Sequence, residues 1–407
     1  MNEVTAGPAT ASTMTPQQTV ARDNLWLYVL LALLGTAGFF YVNLAAAIVD
    51  GLTSTLGFTS AQAGTVMSAN IYGASLGGLI AVFMVRRFPW RPVLVGLLCV
   101  LLALELASLF VHSYSLLLPL RAVDGLVGGT SVGVALSLLA RTHNPDRAFG
   151  ALLVFQFVFG GLGSMWLPGL VKEHGTWVLF TVMAAMDLAA IIAAAFLRMR
   201  TDARGKTGAT TRVSAARIFW LTAATLLALF LFQAAQMGLF AFIIPLGENS
   251  ALTLPFISQT VGWTTWIGAL GAVCVIVFGA RMGRARPLAI AMVFTLAGIS
   301  GLYLAHHKAI FFAANSISSI TWSFVVPYLF GIVSMLDRSG RLATLAGFVS
   351  GLGLASGPLV AGWLARPHDF VPMISAALAF LVVSAIAMLA ASVRVDRLDR
   401  NVTNEVT

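Results

Sequence analysis

From residue 25 to residue 393, apolar runs recur at a length that suits one solvent only. Twelve stretches, near 25–49, 61–85, 92–111, 115–140, 148–170, 176–197, 217–245, 256–280, 287–305, 309–336, 342–365 and 370–393, are each about long enough to cross a bilayer. A spanning helix needs roughly 20 mostly apolar residues, because inside lipid every backbone N–H and C=O must be paired within the segment. Hydrophobic residues make up 59% of the chain and charged ones 10%. A soluble chain carries about a quarter charged residues. The expectation is an all-α integral membrane protein of twelve transmembrane helices, in two six-helix halves over 25–197 and 217–393.

Between the halves, 198–216 (RMRTDARGKTGATTRVSAA) is polar, basic and poor in bulky apolar residues, and reads as a linker. Residues 1–24 are rich in Thr, Ala, Gln and Pro, lack the basic start and apolar run of a signal peptide, and read as a disordered tail. Residues 394–407 read as a second polar tail. With the N-terminus placed in the cytoplasm, twenty of the 24 Lys and Arg residues fall in cytoplasmic segments, and three (Lys172, Lys308, Arg366) fall on the other side. That asymmetry predicts a protein of the cytoplasmic membrane with both termini cytoplasmic. It also assigns the net charge of +9 to a face against anionic headgroups rather than to nucleic acid. Cys99 and Cys274 lie inside apolar spans without metal-ligand spacing and are expected to pack in the core.

The halves are related by sequence. RRFPWRP over 86–92 meets RMGRARP over 281–287, where Arg, Arg and Pro recur at an offset of 195, and His112 and His307 share that offset. Arg147 and Arg341 follow at an offset of 194. Matches in the same order and in corresponding loops argue for duplication of a six-span unit. In this layout, and in its basic loops 2–3 and 8–9, the chain resembles the major facilitator superfamily. Arg86, Arg87 and Arg91 match the basic part of that family's loop 2–3 signature, and Gly283 with Arg281, Arg284 and Arg286 match its second copy. The Asp of the signature is absent from both copies. Arg121 with Gly125 resembles the family's buried Arg motif on span 4, and GGLGSMWLPG over 160–169 is a remnant of its antiporter signature. The resemblance implies a carrier that moves a small solute by rocking two halves about a central cavity, as a monomer and without cofactor.

Charges inside a bilayer are expensive, roughly 2.5–3.5 kcal/mol each near a helix centre, so each needs a partner or a purpose. Four lie within spans: Glu105, Arg121, Asp124 and Asp187. Glu105 and Arg121 are at equal depth on an antiparallel hairpin, and Asp124 follows Arg121 on the same face. Two readings stay open. In one, Asp124 or Glu105 takes up and releases a proton as its contact with Arg121 is made and broken, because burial favours the protonated acid and the arginine the ionised one. In the other the pair is a static tie. Arg121 is also a candidate to bind an anionic solute, while Asp187 is assigned to helix packing and Asp50 to a solvated helix end.

Uncharged groups complete the candidate substrate site: Gln156, Gln236, Asn315 and Trp322, with Asn43, Asn70 and Tyr72 comparable. Amides and aromatics with one Arg suit an amphipathic or aromatic organic molecule. There is no HExxH, no pair of His ligands at metal-binding spacing and no phosphate loop, so neither a metal nor an enzymatic activity is expected. Proton-coupled efflux of a small organic solute is the first expectation. Proton symport or facilitated uptake is the alternative, and a channel or a non-transporting sensor is the alternative from another class.

Overall fold

The computed structural model describes residues 25–197, 215–278, 283–336 and 341–406. The segment read as the N-terminal tail and nearly all of the linker lie outside them. The first half contains α1 (Leu25–Ala37), α2 (Phe40–Asn43), α3 (Ala45–Ser54), α4 (Ser60–Arg87), α5 (Trp90–Ser108), α6 (Tyr114–Leu139), α7 (Pro145–His174) and α8 (Trp177–Phe196). The second contains α9 (Ala215–Ala241), α10 (Ile243–Asn249), α11 (Leu254–Phe278), α12 (Ala285–Gly301), α13 (Lys308–Leu336), α14 (Arg341–Leu364) and α15 (Val371–Val406). Among the described residues, ten helices are long and apolar enough to cross a membrane, and α1 and α3 are shorter apolar helices. The all-α membrane fold expected from hydropathy is what forms. The end of the bundle carrying loops 2–3 and 8–9 is called the basic face below, and the opposite end the far face.

Span 1 was expected as one helix over 25–49 and is three. The chain turns after Ala37, where a methyl on Gly38 would strike the Gly128 carbonyl and Ser131 of α6. It breaks again at Leu44, whose N–H is shared between Phe40 O (3.2 Å) and Tyr41 O (3.3 Å). Span 7 breaks in the same manner. Leu44 has φ −101° and ψ 12°, and Phe242, between α9 and α10, has φ −104° and ψ 12°. The first and seventh spans thus break with the same backbone conformation.

α4 starts on a reciprocal cap. Thr59 Oγ1 accepts from Gln62 N–H (3.2 Å), and Gln62 Oε1 accepts from Thr59 N–H (3.0 Å). It then runs against α6 on glycines: a methyl at Gly125 or Gly129 would meet the backbone of Asn70 or Ala74. Such close approach without side chains between helices gives van der Waals contact where lipid supplies no hydrophobic drive.

Two expectations are corrected. Cys99 is exposed and Cys274 only partly buried; the buried stripe of α5 is Leu94, Leu98, Leu101, Glu105 and Ser108, and Cys99 lies off it. Asp50 is buried at the end of α3 instead of solvated, because α3 extends span 1 to Ser54 and packs Gly51 against Val171 and Leu179.

The segment read as a C-terminal polar tail carries α15 on to Val406, and it supplies an acid to a loop that lacks one. The Asp396 carboxylate accepts from the backbone N–H of Arg284 (3.0 and 2.9 Å) and of Ala285 (2.9 Å), with the Arg284 guanidinium 3.8 Å away. It thus caps the N-terminus of α12 from another helix, where a negative charge also meets the helix dipole. Gly283, at φ +73°, brings the loop close enough for this. In the first half the corresponding loop is tied differently: Arg91 Nη2 donates to the Ala195 carbonyl at the end of α8 (2.7 Å). Asp396→Ala is expected to destabilise the protein by about 1 kcal/mol, read as a lower unfolding temperature in detergent, with Asp396→Asn intermediate.

Candidate functional site

The charge cluster forms where the sequence placed it. Arg121 and Asp124 share one face of α6 at the i, i+3 spacing, and the hairpin to α5 sets Glu105 and Ser108 opposite. Arg121 Nη1 donates to Glu105 Oε1 at 3.0 Å and lies 3.4 Å from Asp124 Oδ2. Nη2 donates to the Ser108 hydroxyl and to Leu104 O (3.4 Å). From α4, Asn70 Nδ2 donates to Asp124 Oδ2 at 2.8 Å, a reach made possible by the glycine contacts between α4 and α6. The guanidinium carbon sits 5.6 Å from the Tyr41 ring centre and 5.1 Å from that of Phe180. Arg121 is 0% exposed. Glu105 Oε2, Asp124 Oδ1, Arg121 Nε and Tyr41 Oη are buried and have no hydrogen-bond partner.

Asp187 also faces this cluster. It is buried on α8, within electrostatic reach of Glu105, Asp124 and Arg121. The sequence carried a signal for this that hydropathy alone conceals: Phe180 and Asp187 are two helical turns apart, so both lie on the face that α8 turns inward.

In the second half the same place is neutral. Adding the duplication offset of 194 to Arg121 and Asp124 gives Asn315 and Ser318. Those two side a small recess of about 30 Å³ that also takes Gln236 and Thr264, among apolar walls from Leu239, Ile243, Val261 and Ile299. Gln236 Oε1 accepts from the Ser318 hydroxyl (2.7 Å), and Asn315 Nδ2 donates to Phe311 O one turn back (2.8 Å). Of the candidates named from sequence, the structure brings Gln236 and Asn315 together. Trp322 instead donates to Gln233 Oε1 (2.7 Å), whose amide donates to Ser350 (2.7 Å), tying α13, α9 and α14. Gln156 is half-buried on α7, and Arg121 is held in the opposite half. Ser318 and Thr264 fall among the span hydroxyls that the sequence offers as polar groups but that read mostly as interhelical glue, because one hydroxyl among many in NSISSITWS or WTTW carries no mark of its own.

The halves meet along two helix pairs. On α4 and α14, Gly64 faces the Pro358 carbonyl and Gly362, Gly351 faces Ser75, and Tyr72 Oη bonds Ser356 Oγ at 2.7 Å. On α7 and α11, Met165 fills the space over Gly262, and Trp266 lies on Gly161. At the far face Lys172 Nζ meets Glu248 Oε1 of α10 at 3.2 Å. Nearer the basic face, a side chain at Gly78, Gly150 or Gly347 would meet nothing. The contacts between α4 and α14 run from Gly64 and Gly362 at the far face to Tyr72–Ser356 and Gly351–Ser75 at mid-depth.

Two six-helix halves that meet on small residues and carry polar groups at depth have the layout of a membrane carrier. The Major Facilitator Superfamily model matches residues 25–358, and the chain belongs to that superfamily. It is 26% identical over 367 residues to a "Chloramphenicol resistance protein" of Streptomyces lividans, covering 82% of this chain and 87% of that one. Its fold is shared with the nucleoside transporter NupG (TM-score 0.71, 13% identity, 90% of this chain and 98% of that one). It is also shared with a bacterial homologue of the human lysosomal transporter Spinster in an inward-facing, unoccupied conformation (TM-score 0.64, 16% identity, 93% and 98%). The chain is thus a multi-pass membrane transporter.

Proposed function

We propose that this chain exports a small, neutral organic solute in exchange for protons by alternating access, with its basic face in the cytoplasm of the cell. The observation that carries the reading is the buried cluster of Glu105, Asp124 and Arg121, in which two carboxyls share one guanidinium. One arginine neutralises one carboxylate; the second acid is stable at that depth when protonated. A change of state that moves α6 against α5 or α4 alters which acid holds Arg121, and with it the proton. Asp124 is the acid assigned to this exchange, because Asn70 of α4 holds it as well. The solute is placed against Gln236 and Asn315, where no charged side chain lines the recess, so a neutral molecule with hydrogen-bonding groups fits better than an anion. The similarity to a chloramphenicol resistance protein supports export of such a compound.

The test uses purified protein in liposomes with an internal pH dye and chloramphenicol as the first compound. Wild type is expected to move protons when the compound is added, and Asp124→Asn to lose that signal by at least tenfold while still exchanging the compound across the bilayer. Protons running with the compound instead of against it would support uptake by symport. Compound flux without proton movement in wild type would leave a facilitator with a structural ion pair.

A further inference from the structure

Two buried hydrogen-bond donors, contributed by opposite halves, lie unpaired at the seam between α7 and α11. Asn43 Nδ2 belongs to α2 and Trp266 Nε1 to α11; neither has a hydrogen-bond partner, and both atoms are shut away from solvent. They border one patch of α7. The Asn43 side chain stands 3.4 Å from where a Cβ on Gly160 would be, with Thr265 of α11 4.0 Å from the same point. The Trp266 indole N–H lies directly on the neighbouring Gly161. Depth is shared too: Gly160 and Gly161 are midway along Pro145–His174, and Trp266 is midway along Leu254–Phe278. Asn43 sits just before the break at Leu44.

A buried donor without a partner is disfavoured by its full desolvation, and native proteins keep few of them. An indole N–H donates only, so it cannot be satisfied by turning into an acceptor. A carboxamide and an indole left unsatisfied on the two sides of one helix–helix seam therefore mark a place where a partner is missing. Toward the far face the seam is packed by Met165 over Gly262. The pair lies at mid-depth, where carriers hold their solute.

We propose that Asn43 and Trp266 are a split recognition site for a hydrogen-bond acceptor (a carbonyl, nitro or ether oxygen) on the transported solute, engaged when α7 and α11 draw apart. This rests on the reading of the chain as a carrier of neutral organic solutes, and it adds where the solute's acceptor group binds. Each donor comes from a different half, so an acceptor bound to both is sensitive to the angle between the halves. With the seam shut the donors stay unpaired, which biases the empty protein toward opening; an acceptor between them stabilises the opened seam. Gly160 and Gly161 let the Asn43 and Trp266 side chains lie against the α7 backbone, so that when α7 and α11 draw apart no α7 side chain stands between the two donors.

The test separates this role from packing by opposite signs. Trp266→Phe keeps an aromatic ring and removes the unpaired donor, and Asn43→Leu keeps volume and removes the other. Both are expected to leave the unfolding temperature in detergent unchanged or higher. Both should weaken binding of neutral aromatic amides (acetanilide, 4-nitroacetanilide) by roughly 3- to 10-fold, the worth of one neutral hydrogen bond. The indole N–H resonance of Trp266 in ¹⁵N-labelled protein, assigned by its loss in Trp266→Phe, should shift on addition of these amides. If the wild type binds and carries the amides but both variants do so equally well, the split site is overturned and the carrier reading stands. A drop in unfolding temperature for Trp266→Phe with amide binding intact also overturns it, assigning the N–H to a structural water. If no probe is bound or carried by the wild type, the solute class itself is wrong and the proposal falls with it.

Discussion

Arg121→Met should cost this protein about 3–5 kcal/mol of stability, the loss seen when one partner of a buried ion pair is removed. The methionine fills much of the same volume against Tyr41 and Phe180. It leaves Glu105 and Asp124 with no positive charge in a site where Arg121 has no exposed surface. The measurement is unfolding temperature and recovered monodisperse protein in detergent. The informative comparison is the neutral triple variant Glu105→Gln, Arg121→Met, Asp124→Asn. With charge and counter-charge both gone, most of the lost stability is expected to return, because replacing an entire buried pair is often nearly neutral. Transport then separates the two readings of the cluster. A stable triple variant that still moves solute but no protons supports the exchange assigned to Asp124. One that moves both as wild type does shows Glu105–Arg121 to be a tie and nothing more.

Gly64→Val should shift the balance between the two ends of the bundle by roughly 5- to 150-fold, from about 1–3 kcal/mol of overpacking. A Cβ at that position would run into the Pro358 carbonyl and the Gly362 backbone across the seam between the halves. The clash exists only while the far end is closed, so the substitution penalises that state and spares the opposite one. Cysteines placed at the far face in place of Lys172 and Glu248, whose side chains meet at 3.2 Å, are expected to be joined by a short bis-thiol reagent in the wild-type background and to fail to be joined in Gly64→Val, with transport falling in step. Cross-linking at wild-type yield would mean that α4 and α14 yield locally and that the closure does not depend on this contact.

The ion pair was legible because its geometry is local. Glu105 and Arg121 sit on one hairpin and Asp124 three residues on, so helix period and equal depth put them together without any knowledge of the fold. Asn70, Tyr41 and Phe180 come from three other helices, and no spacing in the chain announces them. Gln236 and Asn315 were singled out as amides in apolar spans, and they do meet; Trp322, singled out on the same grounds, spends its N–H on Gln233. The sequence offered no way to divide these, since a polar group in lipid is bonded either to a neighbouring helix or to a solute. Which of the two depends on what helix packing sets opposite it.

The acid missing from loop 8–9 makes the same point. Its absence can be read in the loop, but its replacement by Asp396 lies 112 residues away in a segment that reads as a tail. What the sequence determined by itself was everything set by solvent and by period: the helical class, the spans, the duplicated halves and the hairpin ion pair. Lipid forces each apolar run to satisfy its own backbone, so those features follow from the run alone. Which polar groups are spent on one another, and which donors are left without a protein partner, is set by how the helices pack. Those depend on contacts between helices that share no local spacing.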